Sequence, residues 1–524
     1  MALRDGRGAR LRRASASGPG FAGLAAALYT LAGVLATWPA IEHVRTHFLA
    51  SARPTIAEVT PGDHLQTGWN LWLFGHQLEH LNAFWRDPYS FQPELTPRAN
   101  FQGLVFGLPY WPLHAVLGAV LAWNVFTLLT YTAAGGAACA WLRSLGLPRG
   151  AALVGGLAYA LAPYRVAQST GHLLGPISLF LPLSLLAIEK RKPFWAAAAI
   201  TAIPLSGQAS LALGAVPFFF AYAFVRGRRW LDAIPGTVSA LLAAELFQRY
   251  AIRGSLHEHG RTLAEVGHYS ADWIGFVSRH GRGETFVFLG WLTPLLALAG
   301  LVLLLRSRRY ALAALLVTGV VVPVVIALGT NLPTYRLARH VIPHLNVARV
   351  PERLLPIACL SIAALLAFAL ARARPWLVAI VLVLVAADLH VRLYHAANAD
   401  EGNAAYAAIG GPGRLLELPV FLPDINLNST YLYYNLAAQR ERPLGYSTLV
   451  PRPAFRTARS LQSLNCGTWS GDVARLGVRH IVVHGPLYAE FLPRCRPRAE
   501  TALRAHGFRR VAADGDLVLW TARP

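Results

Sequence analysis

The chain has 524 residues, of which 55% are hydrophobic and only 14% charged, and its formal net charge is +22. A soluble protein keeps about a quarter of its residues charged, so this composition excludes an ordinary soluble globular protein. No basic stripe interleaved with aromatic residues is present, so nucleic acid is set aside as a partner. Several apolar runs, such as 286–305, are long enough to cross the ~30 Å hydrocarbon layer as helices. The sequence therefore predicts a polytopic α-helical membrane protein.

The first apolar run, from about residue 21 to 41, follows a basic tail at 1–20. The run has the length of a membrane span, and no good small-residue cleavage site follows it. A basic segment before such a run is typical of a retained signal anchor whose N-terminus stays in the cytoplasm. We therefore predict a cytoplasmic tail at 1–20 and a transmembrane domain at 21–393.

Basic clusters between the apolar runs give the topology. Beyond the tail they lie at 143–149, 189–192, 226–229, 306–309 and 372–375. The positive-inside rule places all of them in the cytoplasm, which requires an even number of crossings between neighbouring clusters. This parity predicts two short helices within 194–225, broken at 204–208, and an interfacial or re-entrant helix at 103–121 instead of a span. About eleven spans result, with the N-terminus inside and the C-terminus outside.

The long polar segments all fall on the outer face in this topology, so we expect the chemistry there. They are a first outer loop at 42–121, loops at 163–172, 248–285 and 329–353, and a domain at 394–524. The last segment has two β-rich stretches and an Asp-Gly turn between strand-like pieces in 509–523. These features predict an extracytoplasmic α/β domain that contains a β-hairpin.

The four cysteines fall into two pairs. Cys139 and Cys359 lie in apolar runs, where we expect inert core thiols. Cys466 and Cys495 lie in the C-terminal domain and are candidates for a disulfide if that domain is outside the cytoplasm. A disulfide and two free thiols remain equally open from the sequence. No cysteine spacing predicts a metal site.

Asp63 is the first candidate for chemistry. It stands beside His64 in the stretch PGDHLQTGWNLW (61–72), shortly after the first apolar run. One interpretation is that Asp63 caps a helix that begins at His64, because Asp is a favoured N-cap residue. The other is that Asp63 is a general base at the membrane face. The two interpretations do not exclude each other.

Tyr164, Arg165 and His172 form a second cluster, on the loop that joins two spans. We consider all three as substrate-binding candidates. The structural alternative is that Arg165 reaches toward lipid phosphate and that His172 marks a helix boundary.

Arg349, Glu352 and Arg353 form a third cluster, in the stretch HLNVARVPERLL (344–355) just before a span. They are either a salt-bridged loop end or a site in which two guanidinium groups hold a phosphate at headgroup depth. The loop 248–285 also carries His257, His259, His268 and Asp272. No third ligand near its His-x-His pair is compelling, so the sequence does not predict zinc there.

Several stretches together resemble the GT-C superfamily of membrane glycosyltransferases. The closest resemblance is to a broad bacterial group of multispanning proteins related to those that glycosylate teichoic acids. It covers most of the chain, in order. The matching stretches are PGDHLQTGWNLWLFGHQL (61–78), FGLPYWPLH (106–114), YALAPYRVAQSTGHL (159–173), VARVPERLL (347–355), GRLLELP (413–419) and GVRHIVVH (477–484).

The resemblance implies a site and a reaction. In the superfamily, an acidic residue just after the first span serves as catalytic base or as a ligand of metal or acceptor, and Asp63 matches it. Two juxtamembrane helices lie in that loop, the donor is usually a polyprenyl-phosphate sugar, and the reaction inverts the anomeric carbon. Many members carry a second acid in the next outer loop, whereas this chain has Arg165 and His172 there. A divalent metal is therefore possible but not required.

The leading hypothesis is an enzyme on the outer face of the bacterial inner membrane that glycosylates a glycan or lipid acceptor. Arg349, Arg353 and Arg165 would stabilise the leaving polyprenyl phosphate, with His64, Tyr164, His172 and Glu352 as further substrate contacts. The second hypothesis is a transporter or flippase of a lipid-linked substrate. Such proteins place ionisable residues near the bilayer midplane, whereas the acids in the apolar runs of this chain fall near span ends. The third is a non-catalytic scaffold for envelope assembly, which predicts that Asp63 tolerates substitution.

Overall fold

A computed structural model describes residues 19–54, 58–95, 98–227, 230–279, 281, 285–342 and 345–523 of the chain. The cytoplasmic tail predicted at 1–20 therefore lies almost wholly outside the described residues. The same is true of the second half of the basic cluster 226–229.

Eleven apolar helices form the largest part of the described residues before the C-terminal part. They are Pro19–Thr37, Phe101–Ser144, Arg149–Ala160, Phe180–Glu189, Pro193–Leu205, Ala209–Val225, Trp230–Phe247, Leu292–Arg306, Tyr310–Ala327, Leu355–Ala369 and Pro375–Leu389. Four helical segments of the described residues are long and apolar enough to cross a membrane: Pro19–Thr37, Phe101–Ser144, Tyr310–Ala327 and Pro351–Ala369. Five others are apolar but shorter, at 10–17 residues. The count of about eleven spans therefore stays a prediction.

The basic clusters lie at the turns between helices. Arg226 pairs with Glu189 at 2.7 Å, which brings the clusters 189–192 and 226–229 to the same end of the helical body. The guanidinium of Arg149 lies 5.4 Å from the ring centroid of Phe21, at the start of the first helix. Cluster 143–149 and the start of the first helix therefore lie close together, while the membrane topology stays a prediction.

Two helix breaks decide the path of the chain. Helix Pro193–Leu205 stops before Gly207, which has φ of +77°, and helix Ala209–Val225 begins directly after it. The break predicted at 204–208 is therefore present. Within Phe101–Ser144, Gly118 has φ of +74° and ψ of 179°, so residues 101–117 form a helix distinct from 119–144. A helix is present where the sequence predicts one at 103–121, but it ends four residues earlier, because Gly118 adopts a backbone conformation that only glycine tolerates.

The predicted first outer loop contains short helices and strands. Helix Asp63–Glu79 packs against the 101–117 helix. The strands are β1 (His47–Ala50), β2 (Arg86–Asp87), β3 (Arg98–Ala99) and β4 (His395–Asn398). β2 pairs with β3, and β1 pairs antiparallel with β4, so the loop is joined to the chain that follows the last apolar helix. The remaining short helices before the C-terminal part are Pro163–Ser169, Leu174–Ile177, Leu263–His268 and Thr334–Val341.

The C-terminal part contains a four-stranded sheet. Its strands are β5 (Arg414–Leu418), β6 (Val478–His484), β7 (Phe508–Asp514) and β8 (Leu517–Ala522), in the order β5-β6-β8-β7. β5 and β6 are parallel, and β7 and β8 form the hairpin that the Asp-Gly pair predicts. Helices Ala404–Ala407, Ser429–Tyr434, Arg452–Leu461, Asp472–Arg475, Gly485–Phe491 and Arg496–Ala505 accompany the sheet. Cys466 and Cys495 are joined in a disulfide, and Cys139 and Cys359 are buried free thiols.

A series of buried hydrogen bonds joins the sheet to the predicted first outer loop. His484, at the end of β6, has its Nδ1 atom 2.7 Å from an oxygen of Glu58 and its Nε2 atom 2.9 Å from the hydroxyl of Tyr406. All three side chains are almost fully buried, so the loop and the sheet are held in a fixed relation.

Candidate active site

Asp63 is the first residue of helix Asp63–Glu79, and its carboxylate does not cap that helix. The N-cap position belongs to Gly62, and no side chain makes a capping hydrogen bond there. The prediction that Asp63 is the N-cap residue is therefore wrong. A carboxylate in the first turn still gains from the positive end of the helix dipole.

Two side chains from distant parts of the chain contact the Asp63 carboxylate. The hydroxyl of Tyr446 donates a hydrogen bond to Oδ1 at 2.7 Å. The Nε2 atom of His172 lies 3.4 Å from Oδ2, and the side chains of Asp63 and His172 are each about a quarter exposed. The hydroxyl of Thr67 donates to the carbonyl of Gly171 at 2.7 Å, so the loop that carries His172 is fixed against the first turn of the helix.

A cavity of about 700 Å³ opens beside this carboxylate. Gln66 and Asn70 line it from the helix face that also carries Asp63, because positions i, i+3 and i+7 share a face. Tyr446 lines the cavity and donates its hydroxyl hydrogen to Asp63, so the carboxylate lies next to the lining, one side chain away from the cavity. The other walls come from the segments 87–102, 207–217, 240–261, 342–353 and 446–449. Residues from four of the five predicted outer segments therefore line this cavity. The fifth segment carries His172, which contacts Asp63.

Four arginines line the cavity: Arg98, Arg261, Arg349 and Arg353. Only two acidic residues, Asp87 and Glu245, are among the described lining residues, so the cavity carries an excess of positive charge. Fixed guanidinium groups in a partly dry cavity favour an anionic ligand with several oxygens, such as a phosphate group.

Arg261 and Arg349 are held close together. Arg261 is 6% exposed and donates to the carbonyl of Thr448 at 2.8 Å, while its Nε–H is buried without a hydrogen-bond partner. Burial lowers the pKa of Arg261, and the neighbouring positive charge of Arg349 lowers it further. Arg349 stacks on the ring of Tyr269 at 4.6 Å. Arg261 also pairs with Glu265 at 3.4 Å, which offsets part of its charge, and an anion bound near Arg261 and Arg349 would reduce their mutual repulsion further.

Arg165 does not reach the cavity. Its side chain is fully buried, and its guanidinium donates to the hydroxyl of Ser178 and the carbonyls of Ala160 and Thr130 at 3.2, 3.0 and 2.8 Å. It also lies over the ring of Tyr131 at 4.9 Å. Arg165 therefore neither contacts a substrate in the cavity nor faces lipid, which corrects both interpretations. Its guanidinium group instead joins helices through these hydrogen bonds.

Three further candidates are buried away from the cavity lining. His64 is 2% exposed and packs on Phe48, and burial lowers its pKa to about 3, so its ring is neutral. Tyr164 and Glu352 are fully buried, and neither lines the cavity. Substrate contact is not available to these three side chains in this structure. Arg349 and Arg353 line the cavity, and His172 contacts Asp63 outside the lining; their roles in substrate binding stay predictions.

The donor set at Asp63 does not suit a divalent metal. Asp63 and His172 offer one carboxylate and one imidazole, and their third neighbour is a phenol. Among the described residues, no third His, Cys, Asp or Glu completes a metal-binding group at this place. In the loop 248–285, His257 contacts Glu265 at 3.1 Å, and Glu265 also closes a capping box with Thr262. We therefore assign no step of the proposed reaction to a metal ion.

Sequence reasoning missed Tyr446, Arg98 and Arg261. Arg261 stands two residues after the His-x-His pair, in a loop whose histidines are its most conspicuous feature. Tyr446 belongs to the C-terminal part and carries no local signal. A search for basic residues in every predicted outer segment would have found both arginines.

No protein-family model matches the chain, and no curated protein matches its sequence. Solved structures do match it. Mycobacterial arabinofuranosyltransferase AftD aligns with a TM-score of 0.59 at 17% identity, over 97% of this chain and 40% of that one. The oligosaccharyltransferase of Archaeoglobus fulgidus, tethered to an acceptor peptide, aligns with a TM-score of 0.50 at 11% identity, over 96% of this chain and 74% of that one.

The chain shares its fold with these two solved structures. This likeness supports the fold expected from the resemblance, and the apolar helices agree with a membrane protein. The chain spans about two fifths of the length of AftD, and identities of 11–17% establish the fold alone. The narrower likeness to proteins that glycosylate teichoic acids stays a prediction.

Proposed function

We propose that this GT-C protein is a membrane glycosyltransferase that moves a sugar from a polyprenyl-phosphate donor to a glycan or lipid acceptor of the cell envelope. One observation carries the proposal: the Asp63 carboxylate accepts a hydrogen bond from Tyr446, which lines a cavity together with four arginines. Glycosyl transfer from a lipid phosphate needs a base for the acceptor and cations for the leaving phosphate. The four arginines line the cavity, and the carboxylate lies beside it, in contact with Tyr446 of the lining.

The step is a single displacement. Asp63 accepts the proton of an acceptor hydroxyl while that oxygen attacks the anomeric carbon of the sugar. The bond from this carbon to the phosphate oxygen breaks, and its electron pair leaves with the polyprenyl phosphate. Attack opposite the leaving group inverts the anomeric centre. Arg349, Arg353, Arg261 and Arg98 stabilise the phosphate charge, and Tyr446 and His172 orient the carboxylate.

A lipid-linked donor suits the walls of this cavity. Helices Ala209–Val225 and Trp230–Phe247 contribute apolar side chains to the lining, including Leu213, Val216 and Leu241. Leu241 is also 64% exposed on the outside of its helix. The apolar wall is thus continuous with a surface that faces lipid, which gives an isoprenoid chain a path while its phosphate meets the arginines.

The proposal includes the topology. Eleven apolar helices cross the bacterial inner membrane, counting 119–144 as one, with the N-terminus in the cytoplasm and residues 394–524 outside. The disulfide between Cys466 and Cys495 agrees with an oxidising compartment. Residues 446–449 of the C-terminal domain line the cavity, so we assign acceptor binding to this domain.

The decisive experiment deletes the gene and complements it with the wild type, Asp63→Asn or Glu490→Gln, followed by mass spectrometry of extracted glycolipids and wall polymers. Glu490 is an exposed carboxylate of helix Gly485–Phe491 and serves as the matched control. We expect a sugar increment that disappears on deletion and returns with the wild type and Glu490→Gln. Asp63→Asn should lower transfer by about 10²–10⁴-fold, the range of general-base catalysis.

The rival hypotheses make a different prediction. A scaffold or a transporter without glycosyl transfer gives no sugar increment that depends on Asp63. Full complementation by Asp63→Asn at normal protein abundance would therefore refute the catalytic role of this carboxylate.

A further inference from the structure

A second cluster of polar side chains lies at the other end of helix Asp63–Glu79. The potential ligand atoms of His76, Glu79 and His80 all lie within 4.8 Å of one another. The spacing i, i+3, i+4 places the three side chains on one helix face. A helix rises about 1.5 Å per residue, so His76 stands about 20 Å from Asp63 along the axis. The cluster is therefore separate from the candidate active site, and the proposed reaction does not use it.

In each histidine of the cluster, one ring nitrogen contacts a neighbouring group and the other is available to a ligand. The Nδ1 atom of His80 lies 2.8 Å from the carbonyl oxygen of His76, and because a carbonyl only accepts, Nδ1 carries the hydrogen. The Nε2 atom of a neutral His80 then presents its lone pair. His76 contacts the hydroxyl of Tyr89 through Nε2 at 2.8 Å and stacks on Trp72, which leaves its Nδ1 atom. Such outer contacts orient imidazole ligands in metal sites.

The helix 101–117 supports the same cluster. The indole Nε1–H of Trp111 donates to Oε1 of Glu79, which fixes the carboxylate and leaves its second oxygen. His114 follows Trp111 by three residues, so both lie on the same face of their helix. The Nε2 atom of His114 is buried and has no hydrogen-bond partner among the described residues. A buried polar atom without a partner is costly, and a ligand would remove that cost.

We propose that His76, Glu79 and His80 bind a divalent transition-metal ion, foremost zinc, with His114 or a water molecule as the fourth ligand. Two imidazoles and one carboxylate are a donor set that Zn²⁺ accepts in tetrahedral geometry. The ion has a structural role. It joins helix Asp63–Glu79 to the 101–117 helix through Trp111, and to Tyr89 through His76. The neighbours of Tyr89, Asp87 and Ser90, line the cavity, so the ion stabilises one wall of the site.

The test measures zinc on the full-length protein, purified in detergent without a polyhistidine tag. The protein is equilibrated with zinc sulfate, passed through a desalting column and analysed for metal by mass spectrometry. We expect about one zinc ion per wild-type chain. His76→Ala and His80→Ala should each bind zinc at least about tenfold more weakly, because each removes a ligand. Zinc should also raise the melting temperature of the wild type and not that of the variants.

Two further variants keep the test decisive. His506→Ala is the matched control, because His506 also directs Nδ1 to a carbonyl oxygen four residues earlier, at 2.9 Å, but belongs to no metal-binding group of the described residues. It should retain zinc. Glu79→Gln keeps an oxygen for Trp111, so folding is preserved while the charged ligand is lost. Zinc binding that is absent in the wild type, or equal in the wild type, His76→Ala, His80→Ala and Glu79→Gln, would overturn the proposal.

Discussion

The hydroxyl of Tyr446 donates a hydrogen bond to the carboxylate of Asp63 at 2.7 Å, although 383 residues of sequence separate them. The first outer loop thus meets the C-terminal domain at the residue on which the proposed chemistry depends. The cavity lies at this junction, with Gln66 on one side and residues 446–449 on the other. The site is therefore complete only when both parts of the chain are folded together.

Tyr446→Phe removes this one hydrogen bond and keeps the ring. A hydrogen bond to a charged group contributes about 1.5–3 kcal/mol, so we expect kcat to fall about tenfold or more while the KM for the donor changes little. Tyr488→Phe is the control, because the Tyr488 hydroxyl has no hydrogen-bond partner among the described residues. Steady-state kinetics of both variants test the prediction, and equal rates would contradict an orienting role of Tyr446.

Arg349→Met removes one guanidinium from the cavity and keeps a side chain of similar length. Charge-assisted contacts to phosphate contribute about 1.5–3 kcal/mol each, so we expect kcat/KM for the lipid-phosphate donor to fall about 10–100-fold. Arg509→Met, on the exposed face of β7, should change nothing. A donor titration with both purified variants distinguishes the two. An unchanged donor dependence in Arg349→Met would remove this residue from the phosphate site.

Arg165→Met should weaken the fold. The variant loses three buried hydrogen bonds and the contact with the ring of Tyr131. At about 1 kcal/mol for each lost bond, we expect a loss of about 3 kcal/mol and a clear drop in melting temperature and abundance. Arg349→Met should melt near the wild-type temperature. The opposite pattern, normal melting of Arg165→Met with lost activity, would return Arg165 to the substrate site.

Because His64 is buried, we expect the stability of the folded protein to fall at acid pH. Burial lowers its pKa to about 3 in the folded state, whereas an unfolded histidine titrates near 6.5. Below about pH 6.5 the unfolded chain therefore binds a proton that the folded chain does not, and stability falls as the pH falls toward 3. Between pH 7 and pH 5 this amounts to about 2 kcal/mol. Melting temperatures of the wild type and His64→Gln across this range test it, since the variant should lack this part of the pH dependence.

Local patterns predicted those features that depend on neighbouring residues. The break at 204–208 follows from Pro and Gly punctuation, and the β7–β8 hairpin follows from its Asp-Gly pair. The position of Asp63 after the first apolar run marks it as a candidate, and its carboxylate contacts Tyr446 of the cavity lining; its catalytic role stays a prediction. Its assignment as a helix cap failed because the helix begins one residue earlier than a capping Asp63 requires.

The sequence by itself determined the general class of this protein: its apolar runs predict membrane helices, and its matching stretches predict a fold that two solved glycosyltransferase structures share with the chain. Only the tertiary structure decided which polar residues meet. Arg165 and Arg349 look alike in sequence, each near the end of an apolar run, yet one joins helices and the other lines the cavity. The physical reason is that hydropathy and turn signals act over a few residues, whereas burial and hydrogen bonding depend on contacts between segments hundreds of residues apart.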